Sequence, residues 1–299
     1  MQDTISNNLI QGIEEKKKIP RISWFENIIL FFFLFAMYLL GGYFIKFFRG
    51  YLPVDAVSRM LNAWLVTHGT VSSLSSIGFV WPPIPTLLLV PVSIIPSLYQ
   101  NWMAVVVLSA ISMAGACVMI GLIANICGLS PLWRRIIVIL FAINPLMVVF
   151  GINGMSEAIL VFATLTASYW LIRFWQTGRN TVLILTGGFF SLLPLIRYEF
   201  AIITAWSGLL ILFLIIKNRD RFTLKKFTEY VEGILLAYAS LVIYPFFLWM
   251  IASWLIMGNP FYFLFNDRSA TNVAEFQIND FGIITVCRQT LWDIDPYSK

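Results

Sequence analysis

The sequence predicts an all-α polytopic membrane protein, and three observations support that prediction. Hydrophobic residues make up 59% of the 299 residues and charged residues only 12%, and the mean hydropathy is +0.83. A soluble fold of this size cannot bury so much apolar surface. The apolar residues form continuous runs rather than the alternating pattern of a transmembrane β-barrel. The same composition excludes an intrinsically disordered chain, and three cysteines are too few for a disulfide scaffold.

Seven apolar runs predict membrane-spanning helices. The first follows a polar tail at 1–23, which we expect to be cytoplasmic, and it is too long for the core of a signal peptide. The runs lie at about 24–47, 102–127, 136–151, 156–175, 181–196, 200–217 and 231–257. Together they form a predicted transmembrane domain at 24–265, followed by a short tail at 266–299.

Basic residues predict the orientation of these spans. Three connections are basic, at 128–135, 173–180 and 217–226. Because positive residues favour the cytoplasmic side, we expect all three connections and the N-terminus to lie inside. The loops at 153–157 and 197–199 then face outside, as does the C-terminal tail, which is too short for a soluble domain.

The segment 48–81 is too polar to span and predicts a first outer loop. Within it, 54–68 has helical periodicity, with apolar residues on one face and Asp55, Arg59 and Asn62 on the other. This pattern is typical of an amphipathic helix on the membrane surface. The next segment, 82–98, is apolar but contains five prolines. It either spans as a kinked helix or re-enters on the same side, and the alternation of the basic connections favours re-entry.

Charged and polar residues at the ends of spans are the first candidates for chemistry, because charge is costly in a membrane. If the spans pack as a bundle, these residues meet on the outer side around one cavity. The candidates are Asp55, Arg59, Asn62, Trp81, Glu157, Arg197 and Glu199.

Several candidates also have a purely structural interpretation. Asp55 and Arg59 are four residues apart, which is the spacing of an intrahelical ion pair. Glu157 opens a span, where the helix dipole favours an acid. Arg197 and Glu199 fit ordinary loop charges, although an arginine at the outer end of a span goes against the usual bias.

The aromatic residues and the single histidine also have a simple interpretation. Trp64, Trp81 and Trp102 fit an interfacial aromatic belt, and His68 fits a solvated helix end. No histidine or cysteine spacing indicates a metal site.

A series of short motifs occurs in a recognisable order along the chain. They are 53–59 (PVDAVSR), 62–69 (NAWLVTHG), 81–85 (WPPIP), 144–145 (NP), 154–158 (GMSEA), 193–199 (LPLIRYE) and 259–263 (NPFYF). This order resembles the GT-C superfamily of integral-membrane glycosyltransferases, which take a sugar from a polyprenyl-phosphate donor. Members include protein O-mannosyltransferases and aminoarabinose–lipid A transferases. The resemblance covers about residues 24–265 and implies a GT-C-like helical bundle.

Three features depart from the superfamily pattern. Asp55 stands alone where the family often has two adjacent acids, and Tyr198 replaces a proline. The chain also has fewer spans than most members and no soluble C-terminal domain. We therefore expect a short or truncated member, and these departures affect the expected activity more than the expected fold.

The resemblance implies a role for each candidate residue. Asp55 would be the base that takes the proton of the acceptor hydroxyl, with inversion at the sugar carbon. Arg59 and Arg197 would bind the donor phosphate. Glu157 would orient the acceptor or sugar, or join Asp55 around a divalent metal ion; no cofactor is otherwise expected.

The remaining candidates, Asn62, Glu199 and Trp81, are expected to contact substrate. The expected partners are a polyprenyl-phosphate sugar, a lipid, glycan or protein acceptor, and membrane lipids, with no nucleic acid. The site would face the extracytoplasmic side of a plasma or inner membrane. Two alternatives stay open: a non-catalytic membrane subunit or pseudoenzyme, and a transporter of lipids or small molecules, whose signature would be mid-span charges and inverted repeats.

Overall fold

A computed structural model of the chain describes residues 24–69, 74–217 and 224–265. Within these ranges the chain is all-helical and has no strand, which confirms the predicted class. Both predicted tails, 1–23 and 266–299, and the centre of the third basic connection lie outside the described residues. The chain divides into two compact units: one contains the residues up to Ile77 together with Pro82–Phe246, and the other Gly78–Trp81 together with the residues from Phe247 onward.

The helices are numbered in chain order. They are α1 Trp24–Arg49, α2 Val54–His68, α3 Pro83–Ser93, α4 Pro96–Gln100, α5 Met103–Ile126, α6 Pro131–Ala142, α7 Pro145–Ile152, α8 Glu157–Thr177, α9 Asn180–Ile196, α10 Ala201–Lys217, α11 Leu224–Met257 and α12 Tyr262–Phe265. Two short 3-10 turns occur at Leu74–Ile77 and Tyr198–Phe200.

Within the described ranges, five helical segments are long and apolar enough to cross a membrane. They coincide with five of the seven predicted spans: α1, α5, α8, α10 with its preceding 3-10 turn, and most of α11. Among them α5 is the most buried, and α1, α6, α7 and α8 all pack against it. Small residues permit this close packing, since a Cβ at Gly115 would lie 2.8 Å from the ring of Phe162 on α8.

The other two predicted spans are less regular. The run at 136–151 is a pair of helices, α6 and α7, bent by 61°. The bend lies at Asn144, whose side chain caps α7 by accepting from the Leu146 N–H at 3.0 Å, and at Pro145, which opens α7. Helix α9 has 17 residues and is about 26 Å long, slightly short of an average hydrocarbon core. The count of seven spans therefore stays a prediction.

The described parts of the three basic connections lie together at one end of the first unit, which we call the basic end. Arg134 pairs with Glu26 at 3.4 Å, which places the start of α1 beside the α5–α6 connection. Gln176 near the end of α8 donates to the carbonyl of Ile126, the last residue of α5, at 2.9 Å. The ammonium group of Lys217, which ends α10, lies 5.4 Å from a tryptophan ring of α8. This arrangement agrees with the predicted common side of all three connections.

The other end of the first unit, which we call the opposite end, contains α2, α3 and the start of α5. The chain therefore passes from α2 to α5 without crossing the unit. Ala56 and Met60 of α2 share a buried cluster with Leu89 of α3 and with Val105 near the start of α5. Helix α3 has 11 residues, so it is about 16 Å long and too short to cross alone. The geometry thus agrees with a re-entrant or interfacial segment at 82–98.

The predicted orientation of α2 is wrong for Arg59. We expected Arg59 on the polar face of a surface helix, but it is only 4% exposed and lies in the buried stripe of α2 with Ala56, Met60 and Ala63. Leu61, two residues later on the same helix, is 42% exposed. The helix presents its arginine inward, within electrostatic range of the carboxylate of Glu157 on α8.

The second unit contains Gly78–Trp81 and the end of α11. The rings of Phe79 and Trp249 stack at 4.6 Å between centroids. Ser253 donates to the carbonyl of Asn259 at 2.8 Å. The stack joins the 78–81 segment to α11, and the hydrogen bond holds the turn after α11 against the helix.

We predict that Ser76→Cys and Asn180→Cys, each in a background lacking the three native cysteines, react with a membrane-impermeant thiol reagent from opposite sides of the membrane. Ser76 follows α2 at the opposite end, and Asn180 lies in a connection at the basic end. Labelling of intact cells and of inverted vesicles measures the side. Labelling of both positions from one side would contradict the topology.

Candidate functional site

Three elements of the first unit place charged residues at the opposite end. They are the first turns of α2, the turn between α7 and α8, and the turn between α9 and α10. Each of the last two elements is fixed by a specific local feature of the sequence.

The turn before α8 depends on Gly154, whose φ is +77°. A side chain there would be strained in this left-handed conformation, and its Cβ would lie 2.8 Å from a methyl group of Val105 on α5. Asn153 stabilises the turn by accepting a hydrogen bond from the Met155 N–H at 2.9 Å. The turn therefore brings Glu157, the first residue of α8, close to α5.

Ser109 of α5 binds the same turn through two hydrogen bonds. Its hydroxyl donates to the Gly151 carbonyl at 3.0 Å and accepts from the Gly154 N–H at 3.2 Å. The two bonds satisfy the Gly151 carbonyl and the Gly154 N–H between α7 and α8. Both groups would be costly to bury without a hydrogen-bond partner. The two bonds also limit the positions that Glu157 can take.

The turn after α9 depends on Pro194 in the last turn of that helix. Proline has no N–H, so the carbonyl of Phe190, four residues earlier, loses its helical donor. Thr204 of α10 supplies a donor in its place, with its hydroxyl 3.1 Å from that carbonyl. The bond ties α10 to α9 and fixes the turn that carries Arg197.

Arg197 links two carboxylates from different elements. Its Nη1 donates to Oε1 of Glu157 on α8, and its Nε donates to Oε1 of Glu199 at 2.5 Å. The Glu157 side chain is 15% exposed and that of Glu199 is 57% exposed. The pair with Glu157 is thus largely shielded from solvent, whereas the pair with Glu199 lies near the surface.

Arg59 lies within electrostatic range of the same group. Burial lowers the pKa of the Arg59 guanidinium, the negative charges of Asp55 and Glu157 oppose that effect, and the positive charge of Arg197 adds to it. For Arg197, burial also lowers the pKa, but hydrogen bonds and charge from Glu199 and Glu157 outweigh it, so its pKa is raised. Both guanidinium groups stay charged at neutral pH.

The structure therefore brings together five of the seven predicted residues, which we call the charged cluster: Asp55, Arg59, Glu157, Arg197 and Glu199. Asn62 has a different role, because its side chain donates to the Ile77 carbonyl at 3.2 Å and ties α2 to the 3-10 turn that follows it. Trp81 belongs to the second unit.

Two buried polar atoms of the α8 start have no hydrogen-bond partner among the residues that the structure describes. They are Oε2 of Glu157 and the hydroxyl oxygen of Ser156. Buried polar groups usually have a partner, so these atoms mark a place where a polar ligand group or water would bind. No set of three or more His, Cys, Asp or Glu residues that could hold a metal ion occurs in the described ranges.

Sequence reasoning missed the placement of Lys46 near the end of α1. Its ammonium group is buried and has no hydrogen-bond partner in the described part of the chain, although it lies 4.6 Å from the centroid of the Phe47 ring. The signal is a stripe of inward positions on α1, four residues apart, that ends at this lysine: Leu34, Tyr38, Gly42 and Lys46. A helical stripe continued by one turn would have predicted an inward lysine.

The chain was also compared with known proteins. No protein-family model, no curated protein and no solved structure matches it. The resemblance to the GT-C superfamily therefore stays a prediction from the motifs.

We predict that Thr204→Val lowers the free energy of unfolding by about 1–3 kcal/mol, because the buried Phe190 carbonyl would lose the donor that replaces its helical one. Thermal or denaturant unfolding in detergent measures the change. Thr164→Val is the matched control, since the Thr164 hydroxyl is buried without a hydrogen-bond partner in the described residues. Equal losses in the two variants would contradict the assignment.

Proposed function

We propose that the protein is a membrane glycosyltransferase of the GT-C type. It moves a sugar from a polyprenyl-phosphate donor to a hydroxyl group of a lipid, glycan or protein acceptor on the extracytoplasmic side, with inversion. The supporting observation is the charged cluster: three separate elements, far apart in sequence, place their charged residues together at the end opposite the basic connections.

The composition of the cluster fits this reaction. The donor leaves as a lipid phosphate, which does not need a proton from the enzyme. The reaction needs cations to bind that phosphate and a base to take a proton, and the cluster offers Arg59 and Arg197 for the first task. In the transfer, the acceptor oxygen bonds to the sugar carbon as its proton moves to a carboxylate. The bond from that carbon to the phosphate oxygen breaks, and the phosphate keeps the electron pair.

Asp55 is the best base among the three carboxylates. Glu157 is bound directly by Arg197 and also lies within electrostatic range of Arg59, so it has two cations to compensate, whereas Asp55 acts on Arg59 and has no ion pair with Arg197 among the described residues. Glu199 is the more exposed of the two carboxylates that bind Arg197. Asp55 stands in the first turn of α2, one helical turn before Arg59, and so lies beside the proposed phosphate-binding residue.

Arg197 must release a partner to bind phosphate, and Glu199 is the partner that leaves most easily. Exposed ion pairs contribute about 0–1 kcal/mol, whereas a guanidinium binds phosphate through two hydrogen bonds. We infer that donor phosphate replaces Glu199 on Arg197, while the shielded pair with Glu157 stays intact. Glu199 then holds the guanidinium in place between donor molecules.

The non-catalytic alternative assigns the same ion pairs a structural role only. Arg197 already has two carboxylate partners, as expected for a purely structural link between α8 and the α9–α10 turn. A transporter is less well supported, because the cluster lies at helix ends rather than in mid-span. Kinetic measurements on two sets of variants separate the catalytic from the structural role.

We predict that Asp55→Asn lowers turnover at least about a hundredfold with little change in donor binding, since general-base catalysis contributes about 10²–10⁴ in rate. Transfer of radiolabelled sugar from polyprenyl-phosphate donors measures turnover. Asp55→Glu should recover little, because the added methylene displaces the carboxylate. Glu229→Gln, an exposed carboxylate of α11, is the control for loss of one charge. If Asp55→Asn keeps more than about a third of turnover, Asp55 is not the base, and Glu157 becomes the next candidate.

We predict that Arg197→Lys raises the donor KM at least about tenfold, because lysine keeps the charge beside Glu157 but cannot bind phosphate through a planar fork. Glu199→Gln should lower the donor KM, since it removes the carboxylate that competes with phosphate. Both constants come from initial rates, with unfolding curves as a control for folding. If both variants raise KM equally, the proposed exchange is wrong.

A further inference from the structure

A groove at the basic end is separate from the charged cluster. It has a volume of about 430 Å³ and lies between α1 and α6, which both pack against α5. Its floor includes Gly121 of α5, where a Cβ would lie 3.1 Å from a methyl group of Val138 on α6. The absent side chain lets α6 approach α5 closely, and α1 forms the other wall of the groove.

The mouth of the groove is positively charged. Arg134 and Arg135 line it together with Glu26, so the three charged side chains carry one net positive charge. The Arg134 side chain is 13% exposed and is held at 3.4 Å from both Asn125 and Glu26. A guanidinium has five N–H groups, so these two bonds leave further donors for a ligand. Arg135, the next residue, is exposed.

Below the mouth, the walls are apolar. Ile29 and Phe33 of α1 and Ile139 of α6 line the groove and are 53%, 68% and 56% exposed. From Glu26 to Phe33 the helix rises about 10 Å, which is comparable to a large part of one leaflet of the hydrocarbon core. The groove thus has a cationic mouth at the level of the basic connections and an apolar trough that runs toward the centre of the span.

We propose that this groove binds one glycerophospholipid with an anionic headgroup from the leaflet at the basic end. Its phosphate contacts Arg134 and Arg135, and its acyl chains lie between α1 and α6. The charge at the mouth selects an anionic over a zwitterionic headgroup, and the trough fits acyl chains. Basic pockets between membrane helices on the cytoplasmic side bind anionic lipids in this way. The proposal does not depend on the glycosyltransferase reaction, because it uses none of the charged cluster.

Native mass spectrometry of the full chain, released from detergent micelles with added phosphatidylglycerol or phosphatidylcholine, tests this site. We expect the wild type to retain one phosphatidylglycerol molecule in preference to phosphatidylcholine. Arg134→Gln with Arg135→Gln should weaken that binding about thirtyfold, and Arg135→Gln alone about fivefold, since each basic side chain near a membrane surface contributes about 1 kcal/mol. The single variant does not disturb the pair with Glu26, so it tests the site even if the double variant fails to fold.

Two further variants separate a built site from general attraction to anionic lipid. Ile29→Trp fills the trough, leaves both arginines in place and should also weaken retention. Arg173→Gln with Arg179→Gln removes the same charge from another connection at the basic end and should have little effect. Equal retention of the two lipids by the wild type would overturn the proposal, as would an equal loss in the Arg173 and Arg179 control.

Discussion

Compensation of the buried guanidinium group of Arg59 and the half-buried one of Arg197 determines how one end of this protein is built. Arg59 is 4% exposed, and a buried ion without compensation costs several kcal/mol. Asp55, on the same helix, supplies one negative charge, and Glu157 at the start of α8 supplies another. Because Glu157 also pairs with Arg197, one carboxylate links α2, α8 and the turn after α9. The positions of these three elements are therefore coupled through charge.

Two features of the backbone fix the positions of the residues that are coupled in this way. Gly154 permits the left-handed turn before α8, and Ser109 holds the turn against α5. Pro194 releases a carbonyl that Thr204 satisfies from α10. Functional groups need rigid support to within fractions of an ångström, and these buried hydrogen bonds provide it for Glu157 and Arg197. The same features would serve a catalytic site or a fixed structural link.

Features set by local sequence could be predicted, and features set by packing could not. Runs such as 102–127 predict their helices because length and hydropathy are local properties. The bend between α6 and α7 also has a local signal, which is the capping residue Asn144 followed by Pro145. The predicted span did not include this bend, because hydropathy is averaged over a window longer than the break. The inward position of Arg59 depends on the carboxylate of Glu157, 98 residues away in sequence, and periodicity does not show which neighbours cover a helix face. The bond from Thr204 to Phe190 is likewise a product of the folded α9–α10 pair.

Binding of a short polyprenyl phosphate to the purified protein distinguishes a phosphate site from a purely structural group of ion pairs most directly. Farnesyl phosphate and farnesol share the same chain and differ in the phosphate alone. If the charged cluster binds donor phosphate, farnesyl phosphate binds at least about tenfold more tightly, because one hydrogen bond to a charged group contributes about 1.5–3 kcal/mol. Arg197→Lys should reduce this preference, whereas Arg135→Gln, in the groove at the basic end, should leave it unchanged. Equal affinity of the two compounds for the wild-type protein would contradict a phosphate-binding role for Arg59 and Arg197.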